Sequence, residues 1–343
     1  MSGRVAGLQL NVRLTSASRW LLSGVRLRET SVTGAAVKID DLLQKTSRTF
    51  ALAIPLLPEP TQRAVGLAYL LFRVADTFED ATDWPRAKRI DALERFAELL
   101  ELPVAQQQHE ARKLADWSLV TPPVDHAGYL ELLGELPWLM HETAQLSQAM
   151  RDVVVKHTLR TTEGMAQVVA RADERGNLRL ASLKDLTDYC YIVAGIVGEL
   201  LTDAFLIDAP QLGSHAEKLR AGMLAFGEGL QLVNILKDAG DDARDGRVYL
   251  PTTVSREDIF ALARTDLDLA NGYVQALQQG GAPSGFLAFT GLSLGLAFKA
   301  LDTLEARGTG AKVSRADVGR LFEALQAELA AGAPLDLRTL AQH

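Results

Sequence analysis

The chain has 343 residues, of which 48% are hydrophobic, 23% are charged and 6% are aromatic. This composition suffices for a sizeable core and excludes a disordered chain. The formal net charge of −7 argues against a nucleic-acid-binding protein, because such a protein needs a basic stripe along the phosphates. Cys190 is the only cysteine, so the chain can form neither an internal disulfide nor a thiolate metal site, which is typical of the reducing cytoplasm.

The first 37 residues are predicted to form a flexible extension. Arginine is frequent there, and Glu29 is the only acid among the first 30 residues. Targeting and membrane-surface segments share this composition, which is the alternative interpretation. We expect the folded domain to occupy residues 38–343.

Helices are the only regular elements that the rest of the chain predicts. Apolar residues recur at helical spacing in the windows 61–75, 88–101, 128–149, 151–171, 183–206, 217–242 and 286–306. Short segments rich in Pro, Gly and Asp separate them, and no repeat of 30–45 residues indicates a solenoid. The apolar segment 285–301 is shorter than the roughly 18 to 20 residues that span a bilayer, which favours a buried core helix. The pattern predicts one compact all-α domain.

The stretch FRVADTFEDA, residues 72–81, places charge on an otherwise apolar helix. At about 100° per residue, Arg73, Asp76 and Asp80 fall within an arc of roughly 60° that also contains Tyr69. Like charges four residues apart cost an isolated helix roughly 0.2 to 0.5 kcal/mol, so something must offset them. The acids either face solvent, with Asp76 paired to Arg73, or line an internal site.

A second polar stripe lies in residues 225–251. Gln231, Asn234, Asp238 and Asp242 share an arc of roughly 80°. Two carboxylates with two amides suit a hard cation better than a solvated face. The two stripes together predict Mg²⁺ ions shared with a substrate diphosphate.

Basic residues near both stripes could hold the anion. The candidates are Arg73, Lys237, Arg244 and Arg247. Lys237 and Arg244 could equally be surface charges, as could Asp241 and Asp245 at the stripe's edge.

At these stretches the chain resembles the squalene/phytoene synthase family of head-to-head prenyl transferases. Five blocks carry the resemblance: SRTFALAIPLLPE (47–59), LLFRVADTFEDA (70–81), EGMAQ (163–167), DYCYIVAGIVGELL (188–201) and LQLVNILKDAGDDARDGRVYLP (230–251). The D-T-x-E-D form at 76–80 is similar to the squalene-forming branch. Lys237 departs from the arginine common in the family, which keeps the charge but loses a bidentate fork.

The resemblance implies an isoprenoid-synthase helical bundle around a central cavity. It implies that Asp76, Asp80, Asp238 and Asp242 are catalytic Mg²⁺ ligands assisted by Asn234, and that Tyr189 is a catalytic tyrosine. The residues expected to bind substrate are Ser47, Arg48, Phe50, Arg73, Gln231, Asn234, Lys237, Arg247 and Tyr249. Phe50, Phe72 and Tyr249 could also stabilise a carbocation through their ring faces. The small residues Ala194, Gly195 and Gly198 leave either a slot for an isoprenoid or a close helix contact.

The expected reaction is the Mg²⁺-dependent condensation of two farnesyl diphosphates, through presqualene diphosphate, to squalene. NADPH would supply the hydride, and this expectation follows from the resemblance alone, because the sequence has no G-x-G-x-x-G motif or βαβ pattern. Without NADPH the product would be presqualene diphosphate, hydroxysqualene or dehydrosqualene, and a longer substrate would make the protein a phytoene synthase. An all-α nucleotide pyrophosphohydrolase and a non-catalytic helical scaffold are the alternatives of other classes. We expect a cytoplasmic protein with at most peripheral membrane contact.

Overall fold

A computed structural model describes residues 34–342 apart from Arg48 and Arg175. The helices of the first half are α1 (Gly34–Thr46), α2 (Phe50–Ala53), a 3₁₀ turn (Ile54–Leu56), α3 (Thr61–Glu79), α4 (Arg86–Glu101), α5 (Val104–Val120), α6 (Ala127–Gly134), α7 (Leu136–Ala144) and α8 (Gln148–Ala170). Those of the second half are α9 (Leu183–Cys190), a π turn (Tyr191–Gly195), α10 (Ile196–Asp208), a 3₁₀ turn (Pro210–His215), α11 (Ala216–Arg244), α12 (Arg256–Gln279), α13 (Ser284–Arg307), α14 (Arg315–Ala331) and α15 (Leu337–Leu340). Strands β1 (Leu178–Arg179) and β2 (Arg247–Val248) form a two-stranded parallel sheet.

The all-α prediction is confirmed, but the predicted windows miss α1, the short helices α2 and α15, and the long helices α5, α12 and α14. The reason is clearest for α5, α12 and α14. These helices bury narrow stripes among many polar residues, and α14 buries only Leu321 and Leu325 of its 17 residues. The window 128–149 contains two helices, since the chain turns at Glu135 and restarts with Pro137 near the first position of α7. Helix α1 begins at Gly34, so the boundary predicted at residue 37 falls inside a helix. Residues 1–33 lie outside the described part.

Helix α3 lies at the centre of the fold, packed against α1, α4, α7, α8 and α10. From Ala64 to Glu79 every side chain is buried except Tyr69, Arg73 and Asp76, which are half-buried. The polar stripe predicted from the sequence is therefore the part of this stretch of α3 that solvent partly reaches.

Two long helical stretches are apolar enough to cross a membrane by length and composition. They are Leu183–Asp208 and Ser284–Arg307, and 50% and 72% of their apolar windows are buried within the fold. Helix α13 packs against α11, α12 and α14, as the sequence predicted for a core helix.

The chain between α9 and α10 is a π turn, Tyr191–Gly195. The Thr161 hydroxyl donates to the Ile192 carbonyl at 3.0 Å. Arg160 donates both to the Tyr191 hydroxyl and to Glu199. Side chains from α8 and α10 therefore fix this turn, which directly follows Tyr189.

The small sheet fixes the segment after α11. The Leu178 amide donates to the Gly246 carbonyl and the Leu180 amide to the Val248 carbonyl, both at 3.0 Å. Gly246 has φ +81°, a left-handed conformation that glycine adopts without strain, and a Cβ there would overlap the Asn177 side chain. This turn reverses the chain and anchors Arg247 beside the end of α3.

Candidate active site

The first acidic stretch lies at the carboxyl end of α3. Arg73 pairs with Asp76, with Nη1 and Oδ2 3.2 Å apart, and its Nη2 donates to the Tyr69 hydroxyl at 2.9 Å. Its guanidinium also lies over the rings of Tyr69 and Tyr129, 5.5 and 5.4 Å from their centres. Arg73 is thus held by Tyr69, Asp76 and Tyr129, and its side chain remains partly exposed.

The segment before α2 joins this stripe through Tyr69. The Tyr69 hydroxyl donates to the Thr46 carbonyl at 3.3 Å, and the Phe50 ring packs on the Tyr69 ring at 5.5 Å. The Ser47 hydroxyl accepts from the Phe50 amide at 3.1 Å. Ser47 and Phe50 therefore lie beside the first stripe, whereas Arg48 lies outside the described residues.

The second stripe runs along the last turns of α11. Gln231, Asp238 and Asp242 are half-buried, while Asn234 is exposed. Lys237 is 8% exposed, and its ammonium lies 3.0 Å from Asp238 and 3.2 Å from the Asn234 side-chain oxygen. Lys237 is therefore not a surface charge. Arg244 is exposed and pairs with Asp241, which fits the surface interpretation for that residue.

Arg247 connects the two stripes. Its Nη1 lies 2.9 Å from Oδ1 of Asp80, and its Nη2 lies 3.5 Å from Asp242 and 3.5 Å from Asp245. The Arg247 side chain is 13% exposed. One guanidinium group thus lies between a carboxylate of each stripe, so the two acidic stretches face each other across a shared space.

Burial disfavours the charged form of two of these carboxylates. Burial raises the pKa of Asp76 to about 6 against the opposing effect of Arg73. Burial likewise raises the pKa of Asp242 to about 6, although Arg247 opposes it. The pKa of Arg247 is raised, chiefly by Asp80. A bound cation would offset the cost of burying these negative charges.

The donor set fits Mg²⁺. Carboxylate and amide oxygens are hard ligands, and a basic side chain already occupies a cation position between Asp80 and Asp242. Within residues 34–342, no three His, Cys, Asp or Glu side chains converge closely enough to hold an ion by themselves. Mg²⁺ commonly takes one or two carboxylates and completes its shell with water and phosphate oxygens.

The described residues show no dinucleotide-binding motif for NADPH. The strands of the described part are two residues long and form no βαβ unit. We therefore assign no residue to NADPH.

Tyr189 and Tyr249 form a stacked pair beside the first stripe. Their ring centres are 4.6 Å apart, and the Tyr189 hydroxyl donates to the Tyr249 hydroxyl at 3.1 Å. Burial raises the pKa of both hydroxyls, and the next contribution to each comes from Glu79. Both groups are therefore neutral near pH 7 and lie within the electrostatic reach of α3.

The sequence interpretation missed several residues near the site. Glu79 and Arg89 are buried behind Asp80, and Arg89 donates to the Glu79 carbonyl. Deeper along α11, Glu228 is half-buried, with a pKa that burial and then Asp266 raise to about 7. Glu79 lies off the polar stripe of its helix, and Asp266 lies on a helix that the sequence did not predict. Among these residues, Glu228 alone could have been predicted from the sequence, because it lies one turn before Gln231 on α11.

The small residues make close helix contacts. A Cβ on Gly198 would overlap the Met223 carbonyl oxygen, and a Cβ on Gly227 would overlap the Ala194 carbonyl oxygen. At Gly195 the neighbouring atoms are Oε1 of Glu228 and the Tyr191 ring. The contact interpretation therefore describes Gly198 better than an open slot does.

Comparison with known proteins places this geometry in a family. Residues 43–321 match the family described as squalene/phytoene synthase. The chain belongs to the squalene/phytoene synthase family. Its relatives include squalene synthases of Schizosaccharomyces pombe (29% identical over 62% of this chain), Mycosarcoma maydis (30% over 68%) and Saccharomyces cerevisiae (31% over 62%). The matched regions span 43%, 38% and 45% of those relatives' own lengths, less than half in each case.

Solved structures of this family share the fold. TcSQS in complex with the ligand E5700 superposes with a TM-score of 0.67 at 22% identity, covering 90% of this chain and 96% of that one. A dehydrosqualene synthase bound to a ligand gives a TM-score of 0.51 at 19% identity, covering 86% and 96%. The predicted isoprenoid-synthase bundle is thereby confirmed.

Proposed function

We propose that the protein is a Mg²⁺-dependent prenyl transferase that joins two farnesyl diphosphates head to head, through presqualene diphosphate, to squalene. The observation that carries the proposal is the approach of the two acidic stretches, which one Arg247 side chain bridges inside the bundle. Family membership supports this class over a nucleotide pyrophosphohydrolase or a non-catalytic scaffold.

Each part of the site has a task in this reaction. Asp76, Asp80, Asp238 and Asp242, with Asn234, would hold Mg²⁺, which neutralises the diphosphate as it leaves. Arg73, Lys237 and Arg247 would bind the diphosphate oxygens, and Ser47, Arg48 and Gln231 would complete this binding.

Tyr189 is our candidate for the residue that accepts the proton. Closing the cyclopropane ring of presqualene diphosphate requires a proton to leave the coupled cation. Because Tyr189 and Tyr249 are neutral and hydrogen-bonded to each other, the pair can pass this proton to the released diphosphate. Their ring faces and that of Phe50 would stabilise the cation by roughly 1 to 2 kcal/mol each where water is excluded.

The test is a product assay. The purified protein is incubated with farnesyl or geranylgeranyl diphosphate, with and without NADPH, and the hydrocarbons are identified. Squalene that forms only with Mg²⁺ and NADPH supports the proposal. Phytoene would reassign the substrate, and hydroxysqualene, dehydrosqualene or presqualene diphosphate would reassign the final step.

Variants connect this reaction to the site. Asp76→Asn and Asp238→Asn should each lower turnover at least about 100-fold with an unchanged circular dichroism spectrum. The exposed Asp116 on α5 provides the control Asp116→Asn, which should keep full activity. Activity retained in both site variants would reject the metal-site assignment.

Location is proposed on chemical grounds. The substrates and products are lipids, so we propose a cytoplasmic protein with peripheral membrane contact. Sedimentation of the protein with phospholipid vesicles tests this, and recovery in the supernatant alone would exclude the contact.

A further inference from the structure

Each predicted metal ligand with a carboxylate is paired with a basic side chain of the chain itself. Arg73 pairs with Asp76 at 3.2 Å and Lys237 with Asp238 at 3.0 Å. Asp80 and Asp242 share Arg247, at 2.9 and 3.5 Å. The fold thus supplies its own counter-ions where the proposed reaction needs Mg²⁺.

Arg247 differs from the other two basic residues in its placement. Arg73 and Lys237 pair with acids on their own helices, three residues and one residue away. Arg247 comes from β2, which follows the end of α11 and whose backbone is held by its pairing with β1. Only its side chain must therefore move for it to change partners.

The position of the Arg247 side chain depends on the negative charges around it. Asp245 also contacts the guanidinium at 3.5 Å, and the buried Arg89 interacts with it repulsively. Its Nε is buried and has no hydrogen-bond partner. The three acids are what hold it, and cations on Asp80 and Asp242 would remove most of that attraction.

We propose that Arg247 is an exchangeable counter-ion, which holds Asp80 and Asp242 together until Mg²⁺ binds them and then turns to the substrate diphosphate. This inference rests on the proposed function, because it assumes that Mg²⁺ and a diphosphate share the site. It has a thermodynamic consequence. When Mg²⁺ binds alone, it must compete with Arg247 for the carboxylates of Asp80 and Asp242. When diphosphate binds as well, the displaced Arg247 guanidinium can bind the diphosphate oxygens in a bidentate manner, which adds to the affinity. Metal and diphosphate binding are therefore coupled through one side chain.

The experiment measures binding rather than turnover. Isothermal titration calorimetry gives the affinity for Mg²⁺ alone and for inorganic pyrophosphate at saturating Mg²⁺, in the wild type, Arg247→Gln and Arg247→Lys. Arg244→Gln is the matched control. It removes the same charge at a position three residues before Arg247, where the exposed Arg244 side chain pairs with Asp241.

The expected effects of Arg247→Gln have opposite signs. Mg²⁺ alone should bind at least threefold more tightly, because no internal cation competes, and pyrophosphate should bind at least tenfold more weakly. Arg247→Lys should leave the Mg²⁺ affinity near that of the wild type and still weaken pyrophosphate binding, because it keeps the charge but loses the fork. In Arg244→Gln both affinities should stay within twofold.

The outcomes separate the two proposals. If the wild type shows no Mg²⁺-dependent pyrophosphate binding, the proposed function fails. If the wild type binds but Arg247→Gln has unchanged or weaker affinity for Mg²⁺ alone, the exchange model is overturned and Arg247 is only a diphosphate ligand or a structural bridge. Should Arg247→Gln not fold without metal, refolding in Mg²⁺ supports the model, and failure to refold there overturns it.

Discussion

Replacing Glu228 by glutamine should stabilise the protein at neutral and alkaline pH. Glu228 lies on α11 against Gly195 and the π turn, and its pKa is raised from 4.5 to about 7 by burial and then by Asp266. The folded protein therefore binds this proton more tightly than the unfolded chain does, and the carboxyl group costs stability increasingly as the pH rises from its unfolded to its folded pKa. Glutamine has the same shape and carries no such cost.

The magnitude follows from the pKa difference. At full strength that difference corresponds to roughly 3 kcal/mol, which is an upper bound. Because the carboxylate is only half-buried and water still reaches it, we expect about 1 kcal/mol. The gain should be complete above about pH 7, shrink as the pH falls and vanish below about pH 4.5, where the carboxyl is protonated in both states.

Urea unfolding monitored by circular dichroism at pH 8, 6 and 4.5 measures this effect. Glu94→Gln, at an exposed position of α4, should change stability by less than about 0.5 kcal/mol at every pH. A Glu228→Gln variant that is less stable at pH 8, or equally affected at all three pH values, would refute the reasoning, because the carboxylate would then have a stabilising partner.

Three further predictions follow from packing and hydrogen bonds. Gly227→Ala should destabilise the fold by more than about 3 kcal/mol, because the added Cβ would overlap the Ala194 carbonyl. Gly240→Ala on the same helix has open space around its Cβ and should stabilise the fold by about 0.5 to 1 kcal/mol. Equal shifts of the melting temperature in the two variants would contradict the close contact at Gly227. Tyr273→Phe should lower the free energy of unfolding in urea by about 1 kcal/mol, because the Tyr273 hydroxyl lies 2.9 Å from the Thr202 hydroxyl. An unchanged free energy of unfolding would mean that the hydrogen bond from Thr202 to the Gly198 carbonyl is sufficient. Tyr249→Phe should lower turnover less than Tyr189→Phe does, because it leaves Tyr189, the residue proposed to accept the proton from the substrate, and removes only the second hydroxyl of the pair; the reverse order would exchange their roles.

The faces of individual helices were predictable from the sequence. The 100° step placed Arg73, Asp76 and Tyr69 together, and the structure shows them as the half-buried residues of an otherwise buried stretch of α3, residues 64–79. The same step grouped Gln231, Asp238 and Asp242 on α11. Periodicity describes one helix at a time, however, so the approach of the two stripes was inferred from the shared chemistry of their side chains and from the family resemblance.

Features that depend on tertiary neighbours were not predictable. Arg247 was expected to bind diphosphate, but its contact with Asp80, 167 positions away in the chain, depends on a two-residue sheet that leaves no pattern in the sequence. Glu79 is buried because α4 covers it, and neither its residue type nor its position on α3 indicated this. Helix α12 was missed because its apolar stripe is interrupted by charged residues that pair with α13, such as Arg264 with Asp302.

The π turn at Tyr191–Gly195 limits how this protein can change its length. A π turn contains one residue more than the α-helix that would replace it, so deleting a single residue there would give an uninterrupted helix. Closing the wide turn would move the backbone groups of residues 191–195, among them the Ile192 carbonyl that accepts from the Thr161 hydroxyl. Descendants of this chain can therefore gain or lose residues in surface loops far more easily than at this point in the interior.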